Sequence, residues 1–141
     1  MMNSDLPPDI AHGASLRGNE YAWDINAFPN ALTKAEALGY ACLGGQFQFR
    51  LDNGTCEMYW LNADCNERVP DESWLNYCRR SCTEVLSAFK NLATNTDFKK
   101  EALNWPDIEA AITRGIDPLR WLVFVAYFVN ETEETTLSRS T

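Results

Sequence analysis

Cys78 and Cys82 stand four residues apart, a spacing that on a helix turns two thiols toward one point and would suit two ligands of a tetrahedral zinc ion. The rest of a zinc site is not to be found. There is no Cys-x-x-Cys pair, and His12 is the single histidine. The expectation is therefore buried free thiols, with no metal and no cofactor, because an unpaired cysteine behaves as a small hydrophobe. Nucleophilic catalysis by Cys or Ser normally recruits a histidine base, and His12 lies in a segment expected to be loose. Glu57, Asp64 and Glu67 are the nearest set of carboxylates in sequence for acid–base work, but surface acids are common. The chain reads as a binding protein with no catalytic residues rather than as an enzyme.

Gly44-Gly45 and Asn53-Gly54 lack the spacing of a phosphate-cradling loop and read as turn chemistry. Asn53-Gly54-Thr55 matches a glycosylation acceptor, which has meaning only in an exported protein. Acids outnumber bases by 20 to 12, and a net charge of −8 argues against nucleic acid as a partner. A basic partner fits better. The acidity is localised: Asp52, Glu57, Asp64, Glu67, Asp71 and Glu72 face one base, Arg68, within residues 52–72. That stretch is either a solvated loop whose acids favour the start of the next helix or a contact surface.

The first residues carry Asp5, Asp9 and Pro7-Pro8 where a signal peptide would have a basic start and an apolar run. The longest apolar stretch, 121–129, has nine residues, against roughly 20 for a spanning helix. A cytoplasmic protein without membrane contact is expected, and its five cysteines should be reduced there.

With 141 residues, 45% of them apolar, the chain can bury a core as a single domain. The expected organisation is a flexible arm over 1–19, one α+β domain over 20–129, and a flexible acidic tail over 130–141. Residues 26–38 read as a helix capped by Asn26 and ended by Gly39, with Phe28, Leu32 and Ala35 on one face. Residues 71–93 form the clearest amphipathic helix, burying Trp74, Tyr77, Cys78, Cys82, Val85, Leu86, Phe89 and Leu92. Thr96 is the expected cap of a short helix over 97–104, and Pro106 opens another that stops at Gly115. Asp117-Pro118 should start one helical turn, followed by a strand over 122–129, with a buried helix as the alternative.

The centre of the sheet is expected to be a β-hairpin over 46–61, preceded by a short strand over 40–43. With Asn53-Gly54 as the turn, Phe47 faces Trp60, Phe49 faces Met58 and Leu51 faces Cys56. All six then share the core side. The other side pairs Gln48 with Tyr59 and Arg50 with Glu57, and continues into the acidic loop.

Gln46-Phe47-Gln48-Phe49-Arg50-Leu51, a tight turn, Glu57-Met58-Tyr59-Trp60, then an acidic loop and an amphipathic helix form the characteristic run of this chain. In size, acidity and α+β organisation it resembles the small cytosolic immunity proteins that neutralise bacterial polymorphic and contact-delivered toxins. The resemblance implies a cognate toxin domain as partner, held at or near its active site. A basic toxin cleft would meet carboxylates that mimic phosphates, so the expected contact residues are Glu57, Tyr59, Asp64, Glu67, Asp71 and Glu72. Two other functions stay open: a small-molecule-binding domain or enzyme with an aromatic pocket between the hairpin and the Trp74 helix, and an adaptor or assembly subunit with an exposed apolar patch.

Overall fold

The computed structural model describes residues 6–134. An antiparallel five-stranded sheet in the order β1-β2-β5-β3-β4 carries helices, giving an α+β fold. The strands are β1 (Ala14–Arg17), β2 (Glu20–Trp23), β3 (Ala41–Leu51), β4 (Gly54–Asp64) and β5 (Leu122–Val129). The helices are α1 (Pro8–Ala11), α2 (Phe28–Ala37), α3 (Trp74–Asn95), α4 (Phe98–Ala102) and α5 (Pro106–Thr113), with a 3-10 turn at Pro118–Trp121. No helix among the described residues is long and apolar enough to cross a membrane.

Local chemistry sets the helix ends. Before α2 it is the Asp24 carboxylate, rather than Asn26, that accepts a backbone N–H, from Ala27 at 2.8 Å, and Gly39 at φ +79° ends the element in a conformation that glycine adopts freely. Ser73 caps α3 by accepting from the Asn76 N–H, so Asp71 and Glu72 lie in the preceding loop. Asp97, not Thr96, caps α4.

The core lies where α2, α3, β3 and β5 meet. Phe28 and Phe124 are 4.6 Å apart between ring centroids, Phe28 and Phe89 4.9 Å, Phe47 and Phe124 4.9 Å, and Phe89 and Phe124 5.0 Å. Each ring is almost wholly removed from water, which stabilises the fold by about 1.5–3 kcal/mol per side chain before ordering costs.

Segment 122–129 is a strand, and it occupies the middle of the sheet between β2 and β3. The β3–β4 hairpin is longer than 46–61 and lies to one side, with β4 as the edge. Its turn is Asp52-Asn53, since Leu51 pairs with Gly54. Phe49 therefore faces Cys56, Gln48 faces Glu57 and Arg50 faces Thr55, which replaces the pairing expected from an Asn53-Gly54 turn. Farther along, β3 advances from Gln48 to Gln46 while β4 advances from Glu57 to Asn62, so β4 bulges over 58–61. Met58 stays buried, whereas Trp60 emerges with 52% of its surface exposed.

Gly44-Gly45 does not interrupt β3 but lies inside it. A Cβ on Gly45 would stand 1.9 Å from the Val125 carbonyl oxygen, so only glycine lets β3 and β5 approach here. Next to it, the β3–β5 register shifts between Cys42 and Gly44. The Cys42 N–H donates instead to the Ser81 hydroxyl of α3 at 3.1 Å, and this hydroxyl donates to the Cys78 carbonyl.

Residues 6–19, expected within a flexible arm, are built into the fold. Ile10 of α1 is fully buried and its carbonyl accepts from the Trp23 indole at 3.1 Å. The β1–β2 hairpin meets β5 only through Ala22 and Trp23 and bends over the sheet face opposite the helices. Of the segment expected as an acidic tail, 130–134 continues from β5 with Asn130 and Glu133 capping each other; residues 135–141 lie outside the described part.

Candidate functional site

The face of the sheet turned away from α3 has a covered half and an open half. Under the β1–β2 hairpin, the Arg50 guanidinium donates to the Ser15 carbonyl at 2.9 Å, the Glu20 carbonyl at 3.0 Å and the Gln48 side-chain oxygen at 2.8 Å. Gln48 and Arg50 are 1% and 7% exposed. Both stand on the side of the hairpin expected to continue into the acidic loop; the fold-over of β1–β2 makes them interior. Burial and the neighbouring Arg17 push the Arg50 pKa down from its ordinary value.

The open half begins at Glu57. Its carboxylate accepts from the Gln46 amide at 3.1 Å and from the Tyr59 hydroxyl at 2.7 Å. Tyr59, 64% exposed, lies two residues along β4 from Glu57, and its hydrogen bond to that carboxylate places it on the same face. The hydrogen bond to Glu57 and that group's charge raise the Tyr59 pKa. Tyr127 of β5 donates to Glu20 of β2; burial first, then Glu20, raises its pKa as well. Asp64, exposed at the end of β4, borders a cavity of about 270 Å³ with Gln46, Asn62 and Tyr127.

The six residues expected to form one surface thus fall into different settings. Glu57, Tyr59 and Asp64 belong to β4: Tyr59 and Gln46 both donate to Glu57, and Gln46 lines the cavity beside Asp64 together with Tyr127. Glu67 and Asp71 are exposed in the loop that carries the chain from β4 to α3. That loop is held by Arg80 of α3, which donates to the carbonyls of Asn66 and Glu67. Glu72 is bound by Arg80 through both carboxylate oxygens, at 2.7 and 2.8 Å. Arg80 holds the Glu72 carboxyl below the usual carboxylate range. An acid so paired offers little to a partner and serves the loop's shape.

Sequence reasoning missed Glu20, Gln46 and Tyr127. Tyr127 carried a signal, as the single residue with a polar tip in Leu122–Val129, but its place became readable only once β5 was paired with β3.

The chemistry suits recognition of positive charge. Among the described residues, Glu57, Asp64, Glu67 and Asp71 make no salt bridge, and the two phenols donate to carboxylates and stay protonated at neutral pH. The thiols do not point to catalysis: burial pushes Cys78 up to about 11 and Cys82 up to about 12. No group of three or more His, Cys, Asp or Glu side chains among the described residues could hold a metal ion.

Comparison with known proteins adds no relative: no protein family, curated protein or solved structure matches this chain.

Proposed function

We propose that this chain is an immunity-type inhibitor, a binding protein rather than an enzyme, that captures a basic toxin domain in the cytosol through the open face and edge of β4. The observation that carries the reading is the Glu57 carboxylate, oriented by Gln46 and Tyr59 and facing no internal cation. Asp64 extends the negative surface along the same strand, and Glu67 and Asp71 extend it into the following loop. Carboxylates fixed in this way steer a basic protein during encounter and select it on docking. Tyr59 is a rigid, amphipathic anchor beside them.

The test is capture. The chain is expressed together with its flanking reading frames, and the affinity for the co-purified protein is measured for the wild type and for E57K/D64K. The expected result is a basic partner whose dissociation constant rises at least about tenfold in the variant, the order of one lost charge-assisted contact. The melting temperature should change little. Failure to capture a protein, or equal affinity of both forms, would refute the proposal.

A second reading, small-molecule binding, has one observation in its favour. Two cavities of about 530 and 630 Å³ adjoin at Asp97 and Lys99 beside α4, within the size range of ligand sites. The place expected for a ligand, between the hairpin and Trp74, is filled: Trp74 packs edge-on against Tyr77 and donates to the Gly39 carbonyl. A thermal-shift screen that stabilises the protein with a metabolite contacting Lys99 would favour this reading over capture.

A further inference from the structure

Trp60 is half exposed and yet held in place. Its ring stacks on Trp105 at 6.2 Å with an interplanar angle of 13°, and Trp105 packs edge-on against Phe49 at 5.9 Å. Its indole N–H donates to the Glu101 carboxylate at 2.9 Å. One face of the indole is thus packed against the protein and 52% of the residue is open to solvent. An aromatic side chain already fixed in its rotamer loses little entropy when a partner binds it. Glu101 makes no salt bridge among the described residues.

The protein uses such groups elsewhere for its own folding. Arg80 lies over the Tyr77 ring at 5.4 Å while it binds the Glu72 carboxylate, so a ring and a carboxylate together hold one guanidinium. Trp60 and Glu101 present the same two groups at the surface, already joined to each other. Tyr59 and Trp60 are neighbours on an edge strand, one beside Glu57 on the open sheet face and one beside α4 and α5 on the helix side. A partner lying along the β4 edge meets both. A second copy of this chain would bring −8 against −8, whereas a basic partner is complementary.

Resting on the function proposed above, we infer that Trp60 and Glu101 form a second recognition point for the basic partner, and that it takes a guanidinium side chain over the open ring face of Trp60. Ring and carboxylate attract the same cation, and a planar guanidinium stacks on indole better than an ammonium does.

The probe is a hexa-arginine peptide titrated into the full chain and followed by the indole N–H signals of its five tryptophans. The Trp60 signal should move saturably and more than with hexalysine, while Trp23, bonded inside the fold to Ile10, stays in place. E101Q should keep the indole hydrogen bond, remove the charge and weaken binding read at the Trp60 signal about threefold, as for loss of an exposed ion pair. A Trp60 signal that does not move, or moves equally in E101Q, overturns the inference. With a captured partner the two proposals separate. If W60L and E101Q bind it as tightly as wild type while E57K/D64K does not, the Trp60 site fails and the outer face stands. If E57K/D64K binds normally while W60L and E101Q do not, the outer face fails and the Trp60 site stands.

Discussion

Arg50 donates to the carbonyl oxygen of Ser15 at 2.9 Å, joining β3 to the outermost strand β1 across residues 35 positions apart in the chain. The bond is one of a set that also reaches the Glu20 carbonyl and Gln48, and it fastens the β1–β2 hairpin over half of the sheet. The hairpin in turn leaves the other half, with Glu57 and Tyr59, open.

Replacing Arg50 with alanine should therefore release this hairpin. The expected loss is about 2–4 kcal/mol, the range for deleting a buried, multiply hydrogen-bonded cation and leaving carbonyls unpaired. Urea denaturation measures the loss, and hydrogen exchange should show faster exchange in β1 and β2 than in β4. A loss below about 0.5 kcal/mol, the level of an ordinary surface change, would contradict the fastening role.

Gly45→Ala should cost about 3 kcal/mol, because the added methyl meets backbone rather than a movable side chain. The obstacle is the Val125 carbonyl oxygen at 1.9 Å, within the central strand pair. Thermal unfolding of G45A beside G54A makes the comparison, since a Cβ on Gly54 meets nothing within 4 Å. Equal melting temperatures would count against the β3–β5 register.

The Glu72–Arg80 pair makes a pH-dependent contribution to stability. Glu72 has a folded pKa held below its ordinary 4.5 by Arg80. Glu84 is also lowered, first by the Asn66 N–H and then by Arg80. A lowered carboxyl pKa stabilises the fold above the unfolded value, and this stabilisation is lost as pH falls through the folded pKa. Stability should thus decline below pH 4.5, and R80A should show a shallower decline than wild type. Parallel stability curves over that acid range would exclude the pair as a source.

Tyr59 should titrate above the ordinary tyrosine value because Glu57 accepts its proton-bearing hydroxyl and repels the phenolate. Ultraviolet titration of wild type and E57Q tests this, and the variant should show Tyr59 ionising at lower pH, with a smaller change for Tyr127, whose pKa the Glu57 charge also raises. Y59F provides the assignment. If the E57Q difference is undiminished in Y59F, the Glu57–Tyr59 pairing is not its cause.

The helices were legible from residue order, because caps, glycine stops and a 3.6-residue period act over a few neighbouring positions. Ser73 to Asn95, with its buried Tyr77, Cys82, Val85 and Phe89, follows from such local signals. So did the strand character of Leu122–Val129, since a run of Val, Phe and Tyr favours a pleated, buried surface.

Pairing between distant segments was not legible in the same way. The hairpin register near the turn shifted because two adjacent loops, Asp52-Asn53 and Asn53-Gly54, are both acceptable locally, and both keep Phe49 on the side of Cys56 and Met58, so the alternation of apolar residues does not choose between them. Trp60, expected in the core, lies half exposed on the helix side, stacked on Trp105. Acidity in 52–72 could be counted from composition, but whether a carboxylate faces solvent or an internal arginine depends on which residues the fold brings beside it. Glu57 met Gln46 and Tyr59 and kept its charge open, whereas Glu72 met Arg80 and was neutralised. That difference sets the candidate surface, and it arises from contacts between chain segments that local periodicity does not encode.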